Sequence, residues 1–299
     1  SSNPSTLPSN YSLRAVWSPD GNDIAVGHDT SPIVSAYPWD PSSGFGSKYS
    51  NPSTLPPGTV TCTAFSPDGN NLAVSHVGSP YVSVYSWSSG FGSKYSNPSS
   101  LAPSTSRSVA WHPDGDAICM TSDGSPYVLA YPWSSGFGTK YSNPSTLPAG
   151  VGRHVEFSPD GNSLAVAHST SPFITVYSWS NGFGTKYANP STLPAGNAYS
   201  VAWSPDGSDL AVGHFTNPII TVYPWSSGFG TKYADPSTLP ANNCHGDVDF
   251  SPDGNNIAIG TIAPTVEAYA WSSGFGTKYA NPSTLPTGTV YGVSFAPAF

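Results

Sequence analysis

Four histidines stand at one recurring place in the chain: His28, His76, His168 and His214. Imidazoles at equivalent positions could face a common metal ion or anion. Repeat copies, however, stand too far apart to share ligand bonds of about 2.0–2.1 Å. Two further copies carry Ser122 and Thr261 at that place, and a hydrogen bond that ties down a turn accounts for imidazole and hydroxyl alike. A second set is Lys48, Lys94, Lys140, Lys186, Lys232 and Lys278, each followed by tyrosine. They could offer a cationic rim to an acidic glycan or protein, or protect exposed strand edges from pairing with other sheets. A third set pairs a phenylalanine with that tyrosine, as in Phe91 with Tyr95 and Phe183 with Tyr187. A flat ring beside Asn, Ser and Thr suits a sugar, and it equally suits packing. Phe91, Lys94, Tyr95, Phe183, Lys186, Tyr187 and the four histidines are therefore the candidate binding residues. No metal centre and no cofactor are expected.

The acidic residues offer no obvious catalytic set. Asp20, Asp68, Asp114, Asp160, Asp206 and Asp253 are turn residues by position. Asp247 and Asp249 have a spacing common by chance. Serine-elbow, phosphate-loop and HExxH signatures are lacking.

The elements that must position these residues repeat. Pro-Asp-Gly recurs with its proline at 19, 67, 113, 159, 205 and 252, and Phe295-Ala-Pro-Ala-Phe299 is a degenerate further copy. Gly-Phe-Gly begins at 44, 90, 136, 182, 228 and 274. The units run over about 9–56, 57–103, 104–148, 149–194, 195–240 and 241–286, followed by a strand within 287–299, and together they make one domain over 1–299.

The second unit shows the pattern. Val60–Phe65 is a β-prone run before Ser66-Pro67-Asp68-Gly69. Proline presets φ in that turn and glycine supplies a positive φ. Asn71–His76 closes a hairpin, and Gly78-Ser79-Pro80 turns into Tyr81–Trp87. In that third run, Val82 and Val84 share one face, while Tyr85 and Trp87 share the other. A strand with two apolar faces must lie between two layers. A short fourth strand is expected at Ser93–Ser96. Four antiparallel strands in about 46 residues is the size of a propeller blade. The expected fold class is all-β, a six-bladed β-propeller of four-stranded antiparallel blades with a surplus C-terminal strand. Twenty-four strands complete six blades, and Val290–Phe295 makes a twenty-fifth. It could exchange between molecules and give self-association.

Strand, then Ser-Pro-Asp-Gly, then Leu-Ala-Val, then a strand ending in Trp, resembles the WD40 repeat. The match is seen at Ala15–Gly21 and Val201–Gly207. The Trp-Asp signature occurs once, at Trp39-Asp40, and at the other third-strand ends Trp87, Trp133, Trp179, Trp225 and Trp271 precede serine. The Trp-Ser-Ser-Gly-Phe-Gly-Thr-Lys-Tyr segment is similar to WD40-like propellers of phage and environmental viral proteins. That resemblance implies a place in a virion or another extracellular assembly.

Composition narrows the reading. Only 9% of residues are charged, against about 25% in an ordinary soluble domain. Thirty glycines and 32 prolines exclude long helices. A net charge of −8 with nine Lys and Arg excludes an electrostatic nucleic-acid track. No apolar run reaches the length of a membrane span, and no basic-then-apolar leader stands at Ser1. Three cysteines, Cys62, Cys119 and Cys244, form no framework. Catalysis needs different groups to converge, whereas close repetition supplies one group six times. The expectation is thus a non-enzymatic structural or interaction propeller that meets a protein partner or itself. A multivalent glycan-binding propeller is the alternative.

Overall fold

A computed structural model describes residues 3–241, 243–262, 266–286 and 288–297. The chain is all-β and builds six blades of three or four antiparallel strands, the six-bladed β-propeller class. Blade 1 is β1 (Ser12–Trp17), β2 (Asp23–His28), β3 (Val34–Asp40) and β4 (Gly44–Phe45). Blade 2 is β5 (Val60–Phe65), β6 (Asn71–His76), β7 (Val82–Trp87) and β8 (Phe91–Lys94). Blade 3 is β9 (Val109–Trp111), β10 (Ala117–Thr121) and β11 (Val128–Pro132). Blade 4 is β12 (Gly152–Phe157), β13 (Ser163–His168), β14 (Ile174–Trp179) and β15 (Phe183–Lys186). Blade 5 is β16 (Ala198–Trp203), β17 (Asp209–His214) and β18 (Ile220–Pro224). Blade 6 is β19 (Cys244–Phe250), β20 (Asn256–Thr261), β21 (Val266–Trp271) and β22 (Phe275–Lys278). Two compact units emerge. One takes the described residues up to Gly124 with Leu129–Tyr141 and 296–297, and the other takes Ser125–Val128 with Ser142–Phe295.

The first hairpin of each blade forms as its residues dictate. In blade 2 the Gly69 amide donates to the Ser66 carbonyl at 2.8 Å, and Gly69 sits at φ +71°, where a Cβ would be strained. The Asp20 carboxylate accepts from the Ser18 hydroxyl at 2.6 Å and the Asn22 amide at 3.1 Å, which holds its carboxyl below the ordinary range. The third strand faces two layers, as its pattern requires. Tyr85 and Trp87 pack toward blade 1 with Val34 and Phe65, and Val82 and Val84 pack toward blade 3 with Val109 and Trp111. The six tyrosines at Tyr85 and its equivalents are fully buried. Each hydroxyl donates to a carbonyl in the preceding Pro-Ser-Thr/Ser linker, Tyr85 to Thr54 at 2.7 Å and Tyr177 to Thr146 at 2.7 Å. A buried phenol needs a partner, and the linker backbone supplies one in every blade.

The fourth strand differs from expectation. In blades 2, 4 and 6 it runs Phe91–Lys94, Phe183–Lys186 and Phe275–Lys278, beginning before Ser93. Blade 1 keeps a two-residue remnant, and blades 3 and 5 keep isolated bridges, Trp133 to Phe137 and Trp225 to Phe229. The cause lies in the third strand. Blades 1, 3 and 5 carry Pro38, Pro132 and Pro224 where the others carry Ser86, Ser178 and Ala270. Proline has no N–H to offer the outer neighbour.

Candidate functional site

The four histidines lie in the interior, fully buried. Their Nε2 atoms meet the third-strand hydroxyls of Ser35, Ser83, Thr175 and Thr221 at 3.0, 3.1, 2.9 and 2.9 Å. The Nδ1 atoms of His28, His76 and His214 meet the carbonyls of Thr30, Gly78 and Thr216. Burial holds these imidazoles below their ordinary range, to about 4 for His76, His168 and His214. Each ring ties strand two to strand three. Where the histidine is absent the hydroxyl is absent too: Ser122 and Thr261 go with Leu129 and Glu267.

The lysines fold back on their own linkers. Lys94 and Lys186 donate to the carbonyls of Tyr95 and Tyr187 at 3.3 and 3.2 Å, and each also donates to the Asn side chain three residues on. The aromatic pairs divide between blades. Phe91 stands edge-on to Trp87 of its own blade at 5.1 Å, while Tyr95 stands edge-on to Trp133 of the next at 5.0 Å. Phe183 and Tyr187 divide likewise, onto Trp179 and Trp225.

The copies diverge at their first strands. One residue before Val155, Val201 and Val248, which pair with Val166, Val212 and Ile259, stand His154, Ser200 and Asp247. One residue after them stand Glu156, Ala202 and Asp249. In the other unit the first of these two places holds Arg14, Cys62 and Ser108, and the Arg14 guanidinium donates to the Cys62 thiol at 3.4 Å. All three arginines of the chain, Arg14, Arg107 and Arg153, lie on or just before a first strand.

On blades 4 to 6 successive first strands are laced by these side chains. The Val201 amide donates to His154 Nδ1 at 3.2 Å, and the Val248 amide donates to Ser200 Oγ at 3.1 Å. Asp247 and Asp249 are both half-buried and flank Val248 on β19. Burial pushes the Asp249 carboxyl up to about 7, and the charge of Asp247 pushes the same way; the Phe295 amide, donating to Oδ2 at 2.8 Å, opposes them. A carboxyl balanced near neutrality can both take and give a proton. In the sequence this pair carries little weight, because its spacing is common by chance. The readable signal was a strand position at which the copies disagree.

Two grooves of about 480 Å³ each lie between blades 1 and 2 and between blades 5 and 6. Their carboxylates are engaged. Asp23 accepts from Tyr49 at 2.7 Å and Trp87 at 3.0 Å, Asp209 from Tyr233 at 2.9 Å and Trp271 at 3.0 Å. Of the turn aspartates, Asp20, Asp68 and Asp253 are held by a Ser and an Asn, and Asp206 by Ser204 and Ser208. Among the described residues no group of three or more His, Cys, Asp or Glu is placed to hold a metal ion.

No protein-family model matches the chain, and no curated protein matches it. The fold is matched by the crystal structure of a putative 6-phosphogluconolactonase from Bacteroides uniformis, with a TM-score of 0.66 and 15% identity over 93% of this chain and 85% of that one. This finding overturns the expectation of a non-enzymatic structural or interaction propeller, and with it the glycan-binding alternative. The exclusion of enzymes rested on repetition, and repetition fails at the first strands.

Proposed function

We propose that the chain is a hydrolytic propeller acting on a sugar-derived lactone, with Asp249 as its proton-transferring group. The observation that carries this reading is the Asp247–Asp249 pair, in which one carboxyl titrates near neutrality. Lactone hydrolysis needs that property. Water adds to the lactone carbonyl as Asp249 takes its proton. The ring C–O bond of the tetrahedral intermediate then breaks, and Asp249 returns the proton to the departing oxygen. The sum is one water consumed and one hydroxy acid formed. Burial keeps the proton affinity of Asp249 high, the charge of Asp247 adds to it, and the Phe295 amide fixes its orientation. The name carried by the Bacteroides protein of the same fold supports lactones as the class to test first. A relationship of the blades to WD40-like repeats, including those of phage and environmental viruses, belongs to the same proposal. It is supported by the Ser-Pro-Asp-Gly turns and the Trp-ended third strands.

The experiment is a panel of gluconolactones, with and without a 6-phosphate, assayed with the parent and with Asp249→Asn. Hydrolysis above the buffer rate that drops ~10²-fold or more in the variant supports the proposal. Equal rates for parent, variant and buffer overturn it.

A further inference from the structure

The chain that follows blade 6 docks on it as though it opened another blade. In both units a second-strand glycine receives the opening residue of the next first strand. A Cβ on Gly27 would collide with Val60, and one on Gly213 would stand 2.8 Å from the Cys244 sulfur. A Cβ on Gly260 would stand 2.8 Å from the Val290 carbonyl oxygen. Val290 thus occupies on blade 6 the place that Val60 holds on blade 1. Its amide donates to the Thr261 carbonyl at 3.1 Å, and Phe295 reaches Asp249 five residues later.

A first strand in every blade pairs along one edge with a second strand, as β1 does with β2. Among the described residues the backbone of Tyr291–Ser294 makes no such ladder. A row of unpaired N–H and C=O groups is a template for another strand.

The residues of this segment suit a first strand better than those of β1. Two residues before the closing Trp or Phe, β9, β12, β16 and β19 bury Val109, Val155, Val201 and Val248, and β5 buries Thr63. The segment carries Val293 there. β1 carries Ala15, which is exposed, and no residue of β1 is fully buried.

We infer that Val290–Phe295 of one molecule pairs with β2 of a second copy in place of that copy's β1. The register is the one β1 uses, Val293 opposite Val26 and Phe295 opposite Ile24. The exchange replaces one ladder by another of equal length and substitutes valine for alanine at the position the other blades bury. The segment stays on its own blade 6, so the contact is head-to-tail and gives closed oligomers or open fibres according to the angle between copies.

The test uses the full chain in sedimentation velocity over a concentration series. Concentration-dependent association is expected. Ser294→Pro removes a ladder N–H, that of the residue opposite Ala25, and is expected to weaken association ~tenfold or more. Ala15→Val strengthens the competing β1 and is expected to weaken it in the same direction. An excess of a synthetic peptide spanning 289–297 is expected to dissolve the assembly, and this arm does not depend on the variants folding. A chain that stays monomeric at its highest soluble concentration overturns the inference, and closure within one molecule would give that result. So would an assembly indifferent to both the peptide and Ala15→Val.

Discussion

The Phe295 amide donates a 2.8 Å hydrogen bond to Oδ2 of Asp249 across 46 residues of chain. It ties the segment after blade 6 to the first strand of that blade. It also favours the charged carboxylate, against burial and against the neighbouring charge of Asp247. The result is a group whose folded proton affinity lies near neutrality.

That affinity has a consequence for stability. The folded carboxyl titrates at about 7, above the ordinary unfolded value of about 3.9. Between these values the folded state binds more protons, so this group's contribution falls as pH rises and is fully lost above about pH 7. Asp249→Asn removes the titration and keeps an oxygen for the Phe295 amide. Denaturant melts of the variant are expected to show a gain on the order of 2 kcal/mol or more at about pH 8, shrinking toward pH 4. Equal stability at both ends contradicts the assignment.

The buried histidines act with the opposite sign. His76, His168 and His214 titrate at about 4 when folded, below the unfolded value of about 6.5. Their contribution is complete above about pH 6.5 and is lost as pH falls toward 4. His214→Ala leaves the Thr221 hydroxyl without its imidazole in a closed interior. A loss of about 2–4 kcal/mol at neutral pH and a shallower acid transition are expected in urea melts. Added zinc is expected to leave the parent's melting temperature unchanged, and a rise would contradict a purely structural role.

The aspartates that open β2 and β17 predict an asymmetry among blades. Trp87 donates to Asp23 at 3.0 Å and Trp271 to Asp209 at 3.0 Å. Trp133 follows a blade with Asn71 at that place. Trp87→Phe keeps an aromatic ring but removes a donor from a buried carboxylate, at a cost of about 1–3 kcal/mol beyond the packing loss shared with Trp133→Phe. Equal costs in denaturant titrations would show that the indole bond to Asp23 contributes nothing.

Local chemistry made most of the fold legible. Ser-Pro-Asp-Gly with its positive-φ glycine marks each first hairpin, and the two apolar faces of Val82–Trp87 require layers on both sides. The fourth strand was less legible because Pro38, Pro132 and Pro224 act on the strand beside them rather than on their own. The four histidines, Lys94, Lys186 and the Phe–Tyr pairs were found by recurrence. Recurrence selects what each blade needs to pack. His154, Ser200, Asp247 and Asp249 occur once each, and only the pairing register shows that they stand at two equivalent places on successive first strands.

The most direct test of the account is the pH dependence of kcat/KM for gluconolactone hydrolysis by the full chain. A rate governed by one ionisation near pH 7 is expected, lost together with ~10²–10⁴-fold of activity in Asp249→Asn. A profile with no inflection near pH 7, or a variant as active as the parent, would contradict it.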